Sequence, residues 1–473
     1  MSFSSFFPAF LRALFPCQPR QQLHEHRRSL GCAKHDLSKG VVYLNPCCDF
    51  SFASEKSSVL SHEPLPVYSE KNSELLTTDV LKTIEQTVDT LDSSLRNLSL
   101  SIHGHPELMF QEKYAHDLLT SFMEGNGFRV TRHYLGLETA WRAEFQHLKG
   151  GRTIGINSEM DALQGMGHAC GHNLIAVSGV GVALALKAAL QTHNIPGKVV
   201  LLGTPAEEGG GGKVIMLERG GYKGMDACIM CHPGAGRVNS ASIGSTTAMQ
   251  AIEVEFFGQS AHAGAAPWEG TNAQDAAFLA YSNISVLRQQ MKPDHRVHGV
   301  IQGTNWVPNI IPDYAQMRWY VRAPTSKELL AFVERVKKCF EAAALATSCT
   351  VKLHVETPYF DLHQNEVLAH DFVSIVGSRY GMSSSVDGTS ASTDFGNVTY
   401  ELPAFHPMFT IPTKPHGGNH TPAFAEAAAS KQAHEATMLV TKALALTGFR
   451  VVADTGFFAK VKGAFDAWKN LSA

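Results

Sequence analysis

Residues 198–212, KVVLLGTPAEEGGGG, join a short apolar run to two adjacent carboxylates, Glu207 and Glu208, and then to a run of glycines. An uninterrupted apolar run suits a strand of a parallel sheet covered on both faces. The glutamates then fall at the carboxyl end of that strand, the side on which open α/β sheets gather their ligands. A phosphate-binding loop is excluded. No GxxxxGK[ST] pattern is present, and two negative charges stand directly before the glycines. The glycines instead permit tight packing and a turn into the next helix.

Working outward, 152–158 reads as another strand, and Asn157-Ser-Glu-Met-Asp161 places Asp161 at its end, beside Met166-Gly-His-Ala-Cys-Gly-His-Asn173. His232 follows in MCHPG (230–234), and His420 lies far downstream in GGNHTP (417–422). A thiol, several imidazoles and a carboxylate pair in short loops are the parts of a metal-activated hydrolase. The adjacent glutamates suggest divided labour, one ligating metal and the other handling the proton of the attacking water. Cys170 and His172, one residue apart, can reach one metal cluster, with Asp161 orienting the imidazole through its other nitrogen. Cys170 could alternatively be an inert buried thiol or a nucleophile paired with histidine. A solvated pair is the bland reading of Glu207 and Glu208, and a loop hydrogen bonder that of His172.

A chain of 473 residues suggests two domains, one inserted in the other. The net charge of −3 argues for neither nucleic acid nor an anionic membrane as partner. Its nine cysteines show no disulfide framework, and Cys228 and Cys231 in DACIMCHPG read as part of a buried strand; a reducing, cytoplasmic setting follows. No apolar run is expected to reach a membrane span, so stable insertion is not expected. Residues 1–70 read as a disordered leader. The absence of acidic residues from its first 24 positions leaves an organellar targeting signal as the alternative.

Periodicity predicts helices over 79–95, 111–124 and 174–190, the last apolar nearly all round, with strands over 128–133, 140–145 and 226–231. After Pro233 the order becomes strand 247–257, helix 271–291, strands 297–304 and 314–322, helix 326–345 and strand 351–357. That is a β-α-β-β-α-β unit over 245–358. It would interrupt a catalytic α/β domain formed by 75–240 and 360–450, which ends in an apolar helix around 422–446, with 451–473 as an extension.

The chain resembles the M20 metallopeptidase and amidohydrolase family, in particular its aminoacylase-like branch with HACGH. The resemblance covers about 75–450. It rests on HGHPELMFQE (103–112), EMDAL (159–163), GHACGHN (167–173), TPAEEGGGG (204–212), MCHPG and SAHAG (260–264), and on PNIIPDYAQMRWYVRAP (308–324), STDFGN (392–397), HPMF (406–409) and GGNHTPAF (417–424). It implies a zinc-peptidase-like catalytic domain with a smaller α+β dimerisation domain inserted. It further implies two divalent ions, zinc or manganese, with Cys170 bridging and His172, Glu208, His232 and His420 completing the set. Glu207 would be the general base and acid, and His262 of SAHAG would stabilise the oxyanion in a partner's site, making the protein a homodimer. Asn309 and Arg322 would bind substrate polar groups and a carboxylate. EMD replaces the DMD of the bacterial branch, and Asn173 stands where Asp is frequent there, which points to a different subfamily. The implied substrates are dipeptides with a C-terminal Lys or Arg, β-alanyl ones included. N-acyl amino acids are the alternative substrates, and a non-catalytic assembly subunit is the reading from another class.

Overall fold

The computed structural model describes residues 76–303 and 305–472, so the leader expected over 1–70 lies outside the described residues. Helix α1 (Thr78–Gly104) is capped by the Thr77 hydroxyl, which accepts from the Val80 N–H, and turns Val80, Ile84, Val88, Leu95 and Ile102 inward. It outlasts the apolar pattern read over 79–95 because Leu98 and Ile102 continue its buried face, where Ser99, fully buried, also accepts a hydrogen bond from Asn173 Nδ2 at 2.9 Å. Helix α2 (Lys113–Gly125) leads into β1 (Arg129–Arg132), β2 (Trp141–His147) and β3 (Arg152–Glu159). Then come α3 (His172–Thr192), β4 (Gly197–Thr204), α4 (Gly212–Glu218), β5 (Ala227–Ile229), β6 (His232–Ala235) and β7 (Ser240–Ser242). A second stretch runs β8 (Ala248–Phe257), α5 (Ala273–Leu287), β9 (Arg296–Gln302), β10 (Tyr314–Ala323), α6 (Ser326–Thr347) and β11 (Thr350–Val355). The chain continues through α7 (Glu366–Tyr380), β12 (Ser383–Ser385), α8 (Phe395–Thr399), β13 (Ala404–Phe405) and β14 (Met408–Ile411) to α9 (Pro422–Ala428), α10 (Lys431–Ala453) and α11 (Thr455–Ser472).

The main sheet has the order β1-β2-β4-β3-β5-β13, with β4, β3, β5 and β13 parallel and β2 and β1 antiparallel at the edge. Both of its faces are covered, and β4 shows how. Val199 and Leu201 enter the core beneath α1, α3 and α10, whereas Val200 and Leu202 enter the core shared with α4 and α8. Each such burial contributes about 1.5–3 kcal/mol. Gly203, at the end of β4, is required by its neighbour: a Cβ there would lie 1.9 Å from Trp141 Nε1, so a side chain would evict the fully buried indole.

A separate sheet, β11-β8-β10-β9, is antiparallel throughout. One face packs on α5 and α6 around Ile252, Val254, Phe256, Trp319, Val336 and Phe340. The opposite face carries Met249, Ala251 and Glu253 of β8, opposite Arg322, Tyr320 and Arg318 of β10. A third sheet, β12-β7-β14-β6, is made of strands too short for periodicity to reveal.

Three sequence expectations need correction. The apolar segment read over 422–446 is two helices, because Ser430 is extended and its hydroxyl accepts from the Ala433 N–H, starting α10 anew. Residues from 451 onward are not a bare extension in structure: α10 runs to Ala453, and α11 places Phe457 and Val461 in the main core. Lastly, α3 and α10 are both long and apolar enough to cross a membrane, contrary to the expectation that no segment would be. Their apolar surface is spent inside the fold, with 89% of the α3 window and 72% of the α10 window buried.

Candidate metal centre

The ends of β3 and β4 lie side by side in parallel register, Glu159 opposite Thr204, which brings the loop after β3 against the glutamate loop after β4. Between Cys170 and His172, Gly171 has φ 80°, the left-handed region, and a Cβ there would lie 2.6 Å from Pro233 Cγ. Glycine therefore lets the chain turn directly into α3 while pointing thiol and imidazole the same way. His232 opens β6. The backbone N–H of His420, itself at φ 65°, donates to the Ala169 carbonyl at 2.8 Å, tying the loop before α9 onto the cysteine loop.

Cys170 belongs to two sets of donor atoms, one with His172 and His232 and one with Glu208 and His420, each set lying within 4.8 Å of one another. His172, Glu207 and Glu208 form a third. Cys170 Sγ is 3.4 Å from His232 Nε2, and Glu208 Oε1 is 3.8 Å from His172 Nε2 and 3.5 Å from His420 Nε2. Ligands sharing one ion at bond lengths of about 2.0–2.3 Å stand at such separations.

The surroundings set the tautomers. His172 Nδ1 faces Asp161 Oδ1 at 3.2 Å, and His232 Nδ1 donates to the Pro233 carbonyl at 2.7 Å, so both rings turn Nε2 toward the cluster. The second Asp161 oxygen accepts from the Glu208 N–H at 2.9 Å, so one carboxylate positions two donors. His172 Nε2 and Glu208 Oε1 are buried without a hydrogen-bond partner, as atoms awaiting a cation would be. The donor set fits a dinuclear divalent-metal centre.

Electrostatics separate the two glutamates. Burial, then the charges of Glu159 and Glu208, push Glu207 well above the usual carboxylate range. Burial also opposes ionisation of Glu208, but His420 and His172 hold its carboxyl below the ordinary value. Burial, then the Glu208 charge, pushes the Cys170 thiol far up, so without a cation it is a poor nucleophile.

Sequence reasoning missed several groups here. Lys213, fully buried in the first turn of α4, donates to Asp394 Oδ1 at 2.6 Å and lies 2.6 Å from Glu159 Oε1, where the contact is of charge without an aligned hydrogen bond. Against burial, Lys213 and then His172 hold the Glu159 carboxyl low. Glu112, fully buried, accepts from the Ala206 N–H at 2.9 Å and from Thr139 Oγ1 at 2.6 Å. The Tyr359 hydroxyl donates to the Glu207 carbonyl and accepts from the Gly211 N–H. A signal existed for Lys213, a lone charge in a segment otherwise apolar or glycine. Glu112 and Asp394 lay inside quoted motifs with nothing local to give them a role.

A cleft of about 720 Å³ opens over the cluster, lined by Cys170, Glu207, Glu208, His232 and His420 on one side and by Tyr320 and Arg322 on the other. Arg322 Nη1 donates to Ser392 Oγ at 2.8 Å. His262 and Asn309 are not brought to this cleft. They are exposed and adjacent, with the Asn309 carbonyl accepting from the Ala263 N–H, and the His262 ring accepting from the Gly264 and Ala265 N–H groups.

Residues 155–444 match the model of peptidase family M20/M25/M40. The chain is similar to the Xaa-Arg dipeptidase of Mus musculus, 42% identical over 80% of this chain and 90% of the relative. It is also similar to that of Homo sapiens, 40% identical over 77% and 87%. Among solved structures, a dinuclear metal-binding peptidase of family M20 from Bacillus subtilis shares the fold with a TM-score of 0.59, at 22% identity over 77% of this chain and 98% of that one. With these donors converging at the carboxyl ends of β3 and β4, and a family match over most of its length, the chain belongs to peptidase family M20/M25/M40.

Proposed function

We propose that this protein hydrolyses the amide bond of dipeptides whose C-terminal residue is Arg or Lys. The observation that carries the reading is a single cleft lined by Cys170, Glu208, His232 and His420 of the donor set, by Glu207 and by Arg322. The 42% identity to a relative named for Xaa-Arg hydrolysis supports the substrate class. Cys170 would bridge two ions, zinc or manganese, held further by His172, His232, Glu208 and His420. Such ions supply Lewis acidity to a carbonyl oxygen and make water a stronger acid.

The chain's own residues do the rest. Glu207 takes the proton of the attacking water and passes it to the leaving amine; bound cations would offset the neighbouring carboxylates that raise its carboxyl in the metal-free chain, leaving it ionised as base and then protonated as acid. Asp161 keeps His172 and Glu208 in place. Arg322, held by Ser392, pairs with the terminal carboxylate and so rejects internal peptide bonds.

The unit from β8 to β11 acts on this reading as an inserted lid and dimerisation domain spanning about 245–358, between catalytic segments 75–240 and 360–450. The exposure of His262 and Asn309, away from their own cleft, supports service to a second copy, where the partner subunit's His262 would stabilise the oxyanion.

Metal-depleted protein reloaded with zinc or manganese, assayed on dipeptides and N-acyl amino acids, tests the reading. Dipeptides ending in Arg or Lys should turn over fastest, and only after metal addition. Faster turnover of N-acyl amino acids would make the protein an aminoacylase. No turnover by fully loaded protein would leave a binding or assembly subunit.

A further inference from the structure

The cleft has two walls of different chemistry. One is the metal centre; the other is the helix-free face of the sheet β11-β8-β10-β9. Across that face, Arg322 stands opposite Met249 and Tyr320 opposite Ala251. On the far side of β8, His354 of β11 stands opposite Glu253, and two residues later the Glu356 N–H donates to the Ala251 carbonyl at 3.0 Å. Alternation along the strand therefore puts Glu356 on the same face as Arg322 and Tyr320. Glu207, Glu208 and Glu356 are the carboxylates among the described residues lining the cleft, and the first two belong to the catalytic cluster.

We propose that Glu356 is the specificity residue that binds the basic side chain of the substrate's C-terminal residue. This rests on the dipeptidase reading above and deepens it. Two strands and one pleat repeat separate the backbone of Glu356 from that of Arg322, roughly 12 Å at ordinary sheet spacings. Side chains standing off the sheet at that separation, less about 3 Å for an ion contact at each end, leave a span that matches an arginine or lysine residue, whose carboxylate and side-chain cation stand roughly 7 Å apart when extended. Next to Arg322 on the same face of β10, and level with Glu356 across β8, stands Tyr320, whose ring centroid is 5.9 Å from the Arg322 guanidinium carbon and whose face suits an alkyl stem. The wall thus offers a cation for the carboxylate, a flat surface for the stem and an anion for the head.

Glu356 is held for this task. Gln250 Nε2 donates to its carbonyl at 2.8 Å, fixing the backbone. Its Oε1 meets Arg318 Nη2 at 3.1 Å, in a pair whose side chains keep 27% and 47% of their exposure. Such a half-solvated pair is weak, and a substrate cation can exchange for Arg318 or take the second oxygen. The other carboxylates of this face, Glu253 and Glu255, are bonded by Gln316 Nε2 and by the Tyr314 hydroxyl, and neither lines the cleft.

The test uses metal-loaded full-length protein with alanyl-arginine and alanyl-citrulline, which are equal in length and carboxylate but differ in side-chain charge. The parent should prefer arginine. Glu356→Gln should lower kcat/KM for alanyl-arginine roughly 10- to 100-fold, mainly through KM, and leave alanyl-citrulline within about 3-fold. Glu356→Asp should recover part of the preference, and Glu356→Lys should turn it toward alanyl-glutamate. Unchanged melting temperature and metal content in the Gln variant separate recognition from folding. Equal losses on both substrates, or a full arginine preference retained in the Gln variant, would overturn the assignment while leaving the dipeptidase reading intact. A parent that hydrolyses neither substrate, or does not distinguish them, would overturn both.

Discussion

Glu207 and Glu208 are adjacent in sequence yet differ in what surrounds them. Glu208 faces two imidazoles and is held ionised; Glu207 faces Glu159 and a buried interior and is pushed toward its neutral form. This asymmetry supports the proposed division, with Glu208 as ligand and Glu207 as acid–base group, more firmly than adjacency does. Glu207→Gln should retain both metals while losing turnover by at least about 100-fold, since it removes proton transfer and leaves every donor in place. Glu208→Gln should lose metal first. Metal analysis beside turnover checks the assignment; metal loss in the Glu207 variant alone would reverse the roles.

The loop joining β4 to α4 is the element on which the site depends, and it is kept in a strained shape. Ala206 has φ 58°, a left-handed conformation that costs a non-glycine residue roughly 1–2 kcal/mol, and Glu112 offsets this by accepting its N–H. Burial, then the charge of Asp161, raises the Glu112 carboxyl from 4.5 to about 7. The sign follows from proton uptake. Between those values the folded chain holds a proton that the unfolded chain has released, so stability falls as pH rises from about 4.5 to 7. The full span corresponds to about 3 kcal/mol as an upper bound. In metal-free protein, Glu112→Gln should flatten that part of the stability–pH profile, as chemical denaturation at several pH values would measure. An unchanged slope would remove Glu112 as its cause.

How much was legible in the sequence follows from the range of each signal. Strand β4 and helix α3 were plain because burial on all sides writes an apolar run into local sequence. Cys170, His172, Glu208, His232 and His420 were legible as residue types that bind metal, each in a short loop after such a run. Lys213, Asp394 and Glu112 were not, since their partners lie on distant elements and periodicity carries no information about them. The short strands β6, β7, β12 and β14 hold too few residues to display a period, and the break between α9 and α10 turns on one serine hydroxyl inside a helix-forming stretch.

For the molecule as a whole, the exposed pair of His262 and Asn309 sets the decisive experiment. Chains carrying His262→Ala and chains carrying Glu207→Gln should each be nearly inactive alone. If a site draws His262 from a second copy, mixing them creates one intact site per mixed dimer. Up to about half of the mixed dimers' parental activity should then return under verified subunit exchange. No recovery would reject the shared site, and near-parental activity of the His262→Ala protein would reject any role for that ring.

The bond from the His420 N–H to the Ala169 carbonyl has a consequence for biosynthesis. Cys170, His172, Glu208 and His232 all leave the ribosome before the sheet unit of β8 to β11 is made, and His420 emerges only after it. No growing chain can therefore assemble the full donor set, however well its first half has folded, until synthesis has passed residue 420. On the function proposed above, a newborn chain would thereby be kept from cutting peptides, and full metal capture would become a signature of a finished fold, one that truncated or stalled products cannot counterfeit.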